Sequence, residues 1–142
     1  MKRSDLPDLI SFLLILMFSY ATASKLIDLT SFRMQLLIQP VPKWSVTYLI
    51  YLIPLAEILT ISFLLFKVTK TIGFYSAALL MLVFTIYVGL AMTGFFGNIP
   101  CSCGGVIGKL NWPQHFIFNL IFLIVSIYGI IIDYKERRFI GK

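Results

Sequence analysis

The stretch "IGFYSAALLMLVFTIYVGLAMTGFF", residues 72–96, carries no charged side chain. At about 1.5 Å of rise per residue, a helix of this length crosses a hydrocarbon core of about 30 Å, for which roughly 20 residues suffice. Lipid offers no partner for backbone N–H and C=O groups, so only helices and closed barrels span it. Barrel strands alternate apolar and polar residues over about ten positions, and this run does not alternate. It reads as a membrane-spanning helix.

Three similar runs flank it. Residues 46–66 are broken only by Pro54 and Glu57, and residues 9–27 are apolar up to Lys25. Residues 116–132 carry no charge and reach spanning length by taking in Gln114, His115, Asp133 and Tyr134. Of the 142 residues, 59% are hydrophobic and 13% charged, with a mean hydropathy of +0.93. That composition lacks the polar shell of a soluble domain. We therefore expect an all-α membrane protein, a four-transmembrane-helix bundle. It forms one domain over 1–142, with helices at about 9–27, 46–66, 72–96 and 114–134. The net charge of +6 does not indicate nucleic acid, because the basic residues lie in short segments between apolar runs. The expected partner is the lipid bilayer.

The first run also resembles a secretory signal, with Lys2 and Arg3 ahead of it and Ala21-Thr22-Ala23 as a cleavage site. Asp5, Pro7 and Asp8 are unusual in a basic leader, and three more spans follow. An uncleaved first helix is the simpler reading.

Orientation follows from Lys and Arg. The N-terminus, the second loop and the C-terminus together hold eight: Lys2, Arg3, Lys67, Lys70, Lys135, Arg137, Arg138 and Lys142. The other side holds four: Lys25, Arg33, Lys43 and Lys109. Both termini are expected in the cytoplasm. In a bacterial inner or plasma membrane, the loop with Cys101 and Cys103 then faces the periplasm or outside, where disulfides persist.

The first outward loop, about 28–43, contains Leu29, Phe32 and Leu36 at helical spacing, with Leu37 extending that side and Ser31, Arg33 and Gln35 facing elsewhere. It predicts a short interfacial helix ended by Pro40 and Pro42. Trp44 and Trp112 fall at outer boundaries, where indoles are favoured. Asn111 is a candidate cap for the last helix, with Pro113 near its start.

The only cysteines sit in "NIPCSCGG", residues 98–105. They are too few for a structural zinc site, since only His115 and one acid remain to complete it, so no metal is expected. A disulfide closing three residues restrains the unfolded chain by about 1.6 kcal/mol, against about 3 kcal/mol for fifteen. It also needs a turn to bring the Cα atoms within range, for which Pro100 and Gly104-Gly105 are placed. Strained, exposed disulfides are the more readily reduced, which suits thiol exchange. A redox pair, a structural clip and two inert thiols all remain open, with the redox pair favoured.

Glu57 is the one acid deep in a span, about 11 residues and roughly 16 Å from its outer end. An intramembrane acid is a functional candidate by default. Two readings stay open: a protonated carboxyl bonded to Thr, Ser or Tyr of another helix, or a group handling protons or a quinone headgroup. Lys25 lies close to the outer surface, so a direct ion pair between the two is not expected. His115 lies 12 residues after Cys103 and reads as an interfacial histidine or a thiol-tuning group. Asn119 reads as an interhelical hydrogen-bonding residue.

The order of these features resembles the MauE family of methylamine utilisation proteins, within the larger DoxX-like group. The resemblance rests on "ATASKLIDLTSF" (21–32), "IPLAEILTISFLL" (53–65) and "PCSCGG" (100–105), with Trp112 and Asn119 following. Cys101, Cys103 and Gly105 match a family pattern close to Cys-Gly-Cys-Phe-Gly, while Ser102 and Gly104 depart from it. Lys25, Glu57 and Asn119 resemble polar positions typical of helices one, two and four in the group. The family is associated with maturation of methylamine dehydrogenase, whose small subunit is dense in disulfides. The resemblance thus implies a role in forming or supporting disulfides outside the membrane.

Together these readings favour a thiol-disulfide oxidoreductase with Cys101 and Cys103 as the reacting pair, supported by Glu57, Lys25, His115, Asn119 and Gly105. Its partners would be a thioredoxin-like protein or an exported disulfide-containing substrate, with a membrane quinone as the candidate cofactor. The alternative is a non-catalytic assembly factor in which the pair is a clip. A transporter or channel is disfavoured, because no internal repeat accompanies the lone deep charge.

Overall fold

Four long apolar helices and one short one make up the computed structural model, which describes residues 5–95, 97 and 111–141. They are α1 (Asp5–Ile27), α2 (Leu29–Ile38), α3 (Lys43–Leu65), α4 (Lys70–Met92) and α5 (Trp112–Ile140). α1, α3 and α4 have 23 residues each and α5 has 29, and all four are apolar enough to cross a bilayer. The all-α, four-span architecture read from the charge-free runs is the architecture observed.

Helix ends follow local chemistry. α3 begins directly after Pro42, three residues before the apolar run. α4 stops at Met92 rather than 96, because Gly94 (φ 72°) and Gly97 (φ 85°) take left-handed conformations that end the helix. α5 starts on the expected cap: Asn111 Oδ1 accepts from the Gln114 N–H at 3.0 Å, and Gln114 Oε1 accepts from the Asn111 N–H at 3.3 Å. It runs on to Ile140 rather than 134 because its charged end is tied down. Arg137 pairs with Asp133 at 3.0 Å and donates to the Lys67 carbonyl at 2.6 Å.

The four spans pack as a ring in the order α1, α3, α4, α5. Small residues set the contacts, as is usual where no water drives helices together. A Cβ on Gly73 would lie 2.8 Å from the Leu64 backbone N, so α3 and α4 approach closely there. A Cβ on Gly129 would lie 2.6 Å from the Phe74 ring, which is fully buried between α1, α4 and α5. Leu14, Phe18, Ala77 and Met81 complete this core. Where α3 and α4 turn, Lys70 pairs with Asp8, Thr71 donates to Asp133, and Ser11 donates to the Leu64 carbonyl at 2.9 Å. That polar layer links α1, α3, α4 and α5 at one end of the bundle.

At the other end, α2 packs against α3 and α1. The expected short helix is present, but its faces differ from the sequence reading. Phe32 is buried against Val46 and Ile50, Leu29 and Leu37 are exposed, and Gln35 turns inward. The reason is that α2 covers protein rather than water: it lies over the space left between the spans. Its N-cap is Asp28, which accepts from the Ser31 hydroxyl at 2.7 Å and the Ser31 N–H at 3.0 Å.

Two predictions follow from this packing. Gly129→Ala pushes a methyl into the Phe74 ring and should lower stability by about 1–3 kcal/mol, read as an earlier thermal transition in detergent. The Ser31 hydroxyl, then the Ser31 N–H, hold the Asp28 carboxyl below its ordinary value of 3.8. A lowered carboxyl stabilises the fold above its unfolded pKa and loses that contribution as pH falls through the folded one. Amide exchange at Ser31 should therefore accelerate as the pH is taken below 3.8, and Asp28→Asn should remove that acid dependence.

Candidate functional site

Diagonal neighbours α3 and α5 do not meet among the described residues, and the gap between them is a cavity of about 470 Å³ at the α2 end of the bundle. Apolar side chains of α1, α3 and α4, such as Phe18, Ile53 and Phe84, form most of its wall. Four residues singled out from the sequence also line it: Lys25, Glu57, His115 and Asn119. α5 supplies the last two, spaced i and i+4 and therefore on one helical face.

Glu57 is 1% exposed, and both of its oxygens are engaged. Lys25 Nζ lies 2.8 Å from Oε1, and the Thr22 hydroxyl donates to Oε2 at 2.8 Å. This overturns the expectation that depth would keep Lys25 and Glu57 apart. That expectation placed the charges at the levels of their Cα atoms. Helical side chains lean toward the N-terminus of their own helix. α1 and α3 run antiparallel, so Lys25 leans into the bundle while Glu57 leans toward the α2 end, and they meet. The Lys25 ammonium also donates to the Ala21 carbonyl one turn back at 3.3 Å, and lies 6.0 Å from the centre of the Phe32 ring.

The sequence reading missed Thr22, which bonds Glu57, and two polar residues of the cavity wall, Gln39 and Tyr87. Thr22 shares a helical face with Lys25, and that spacing could have flagged it. Gln39 and Tyr87 are hydrogen-bonded to each other and both line the cavity, but they are 48 residues apart and carry no local signal. Cys101, Cys103 and Gly105 lie outside the described residues. The segment that holds them joins α4 to α5, which begins with the capped turn just before His115.

Among the described residues, Lys25 and Glu57 are the only Lys, Arg, Asp or Glu residues in the cavity wall, and they compensate each other. Asn119 is different. It is 3% exposed, and its Nδ2 has no hydrogen-bond partner among the described residues. A buried unpaired amide costs about 1–3 kcal/mol and calls for an explanation. Among the described residues, the site thus offers an apolar chamber, a paired cation and anion, and one amide nitrogen without a partner.

Residues 3–132 match the family described as "Methylamine utilisation protein MauE". No curated protein and no solved structure matches the chain.

The ion pair makes a prediction that a neutral Glu57 does not. Lys25→Met alone leaves a buried carboxylate without its cation and should destabilise by about 3–5 kcal/mol in detergent unfolding. Lys25→Met combined with Glu57→Met should recover most of that loss. If Glu57 were held by Thr22 alone, Lys25→Met would have little effect and the double change no advantage.

Proposed function

The chain belongs to the MauE family of membrane proteins, and from that premise we propose that it is an integral membrane thiol-disulfide redox protein. Cys101 and Cys103 are its reacting pair. They form or relay disulfides for an exported protein, directly or through a thioredoxin-like partner. The family description refers to methylamine utilisation, so the favoured partner is an exported, disulfide-containing protein of that process.

The observation that carries this reading is the cavity. Oxidising two thiols releases two electrons and two protons, and a membrane protein doing so needs a second site that communicates with the acceptor. The bundle encloses a chamber at the end where the α4–α5 connection is anchored. The distribution of Lys and Arg supports an outward orientation for that end, in an oxidising compartment. We assign Gly105 a supporting role for the pair, since glycine tolerates backbone conformations that other residues avoid. Glu57 and Lys25 hold the chamber's shape rather than act as bases for the thiols, since each is already engaged by the other.

Thiol state in native membranes tests the reading. Alkylation and intact mass should show Cys101 and Cys103 shifting between dithiol and disulfide when a thioredoxin-like protein or an oxidant is added. Cys101→Ser combined with Cys103→Ser should abolish disulfide formation in the partner while the membrane protein stays at normal abundance. A pair locked in one state, with the double variant merely less abundant, would assign the cysteines to a structural clip and the protein to assembly.

A further inference from the structure

We propose that the α2-end cavity binds a membrane quinone, with Asn119 donating to a quinone carbonyl. The proposal deepens the thiol-disulfide reading by naming the electron acceptor, and rests on it for that role. Three observations select this chemistry.

The first is the unused amide. Thr60, Thr85 and Ser126 are also buried, but each donates to a carbonyl one turn back on its own helix, at 2.9, 2.6 and 2.8 Å. Asn119 Nδ2 donates to nothing among the described residues. A carbonyl oxygen presented from inside the cavity would satisfy it, directly or after a half-turn of the amide.

The second is charge. Lys25 and Glu57 are paired at 2.8 Å, so among the described residues the wall offers no unpaired Lys or Arg for an anionic head. A carboxylate or phosphate ligand would enter as an uncompensated charge in an apolar chamber, which is costly. A neutral head with acceptor oxygens meets no such penalty.

The third is size and lining. A volume of about 470 Å³ falls within the range of roughly 300–1,000 Å³ typical of small-molecule sites. Phe84, Tyr87 and Phe118 bring aromatic side chains to the wall, and aliphatic side chains such as Leu52 and Val83 extend it. A flat ring with an isoprenoid tail matches that division. A lipid ester offers the same carbonyl chemistry, so the test must separate the two sources.

The coupled reaction balances without another co-reactant. Two S–H bonds of Cys101 and Cys103 break and one S–S bond forms. The two electrons and two protons pass to the quinone, whose two carbonyl oxygens become the hydroxyls of the quinol.

The experiment uses the full chain purified in detergent, titrated calorimetrically with a short-chain benzoquinone and a short-chain naphthoquinone. An azido-substituted benzoquinone is then photolysed on the protein, and the label is located by mass spectrometry. We expect saturable binding at one site per chain and labelling of residues that line the cavity. Asn119→Leu should weaken binding at least tenfold, and Ala56→Trp, which fills the cavity from α3, should abolish it. Saturable quinone binding by a protein whose thiols do not cycle would remove the thiol reading without removing the site. Absence of saturable binding would overturn the proposal, as would labelling confined to other surfaces. So would an Asn119→Leu protein that binds quinone normally, or displacement of the quinone by equimolar diacylglycerol. If wild-type thiols cycle while quinone does not bind, the thiol reading stands and the acceptor lies elsewhere.

Discussion

A carboxylate inside an apolar bundle must be compensated by a partner, and the pairing of Glu57 with Lys25 is the constraint around which the α2 end is organised. Insertion of a single charged residue at the centre of a span costs about 2.5–3.5 kcal/mol for Asp, Lys or Arg. Here the two opposite charges share one contact, and Thr22 satisfies the second carboxylate oxygen. The pairing requires α1 to present its last turn beside the middle of α3, because Lys25 is two residues from the end of α1 while Glu57 is fourteen from the start of α3. α1 therefore stops well short of the α3 N-terminus. The remaining length of α3 would be bare on that side, and α2 covers it, with Phe32 seated on Val46 and Ile50. A ten-residue helix does not fill the space that a full span would have filled. The cavity is what remains.

The two ends of the bundle use their polar groups differently. At the α3–α4 turn, Asp8, Lys70, Thr71, Asp133 and Arg137 bond across α1, α4 and α5, and pin the helices together. At the α2 end, polar side chains surround a space instead of closing it. Between the two lies the dry layer of Leu14, Phe18, Phe74, Ala77 and Met81. The hydroxyls of Thr60, Thr85 and Ser126 are turned back onto their own helices. Among the described residues, no chain of polar groups links the two ends.

The spans were legible because 25 residues without a charge have one physical interpretation in a chain this apolar. The cap at Asn111 was legible because it depends on residues three apart. What was not legible depends on contacts between distant parts of the chain. The Lys25–Glu57 pair was missed because depth was judged from position along each helix, without the lean of helical side chains toward their N-termini. Gln35 was assigned outward on the assumption that α2 lay on lipid. It turns inward because α2 lies on protein. Gln39 and Tyr87 meet across 48 residues, and no local pattern anticipates that. Lys25, Glu57, His115 and Asn119 stood out individually as polar residues in or beside apolar runs. That all four line one cavity was not.

Within that cavity, the contrast between Glu57 and Asn119 is the informative one. Glu57 is the more expensive group to bury, yet both its oxygens are satisfied. Asn119 is the cheaper group, and replacing it with an aliphatic residue would remove an unmet donor at little cost in packing. A bundle shaped only for stability would resolve the easier problem as well as the harder one. Leaving the amide unmet among the described residues while compensating the carboxylate fits the proposed site, in which the ion pair settles the charges of Lys25 and Glu57 and the amide is left to a neutral ligand.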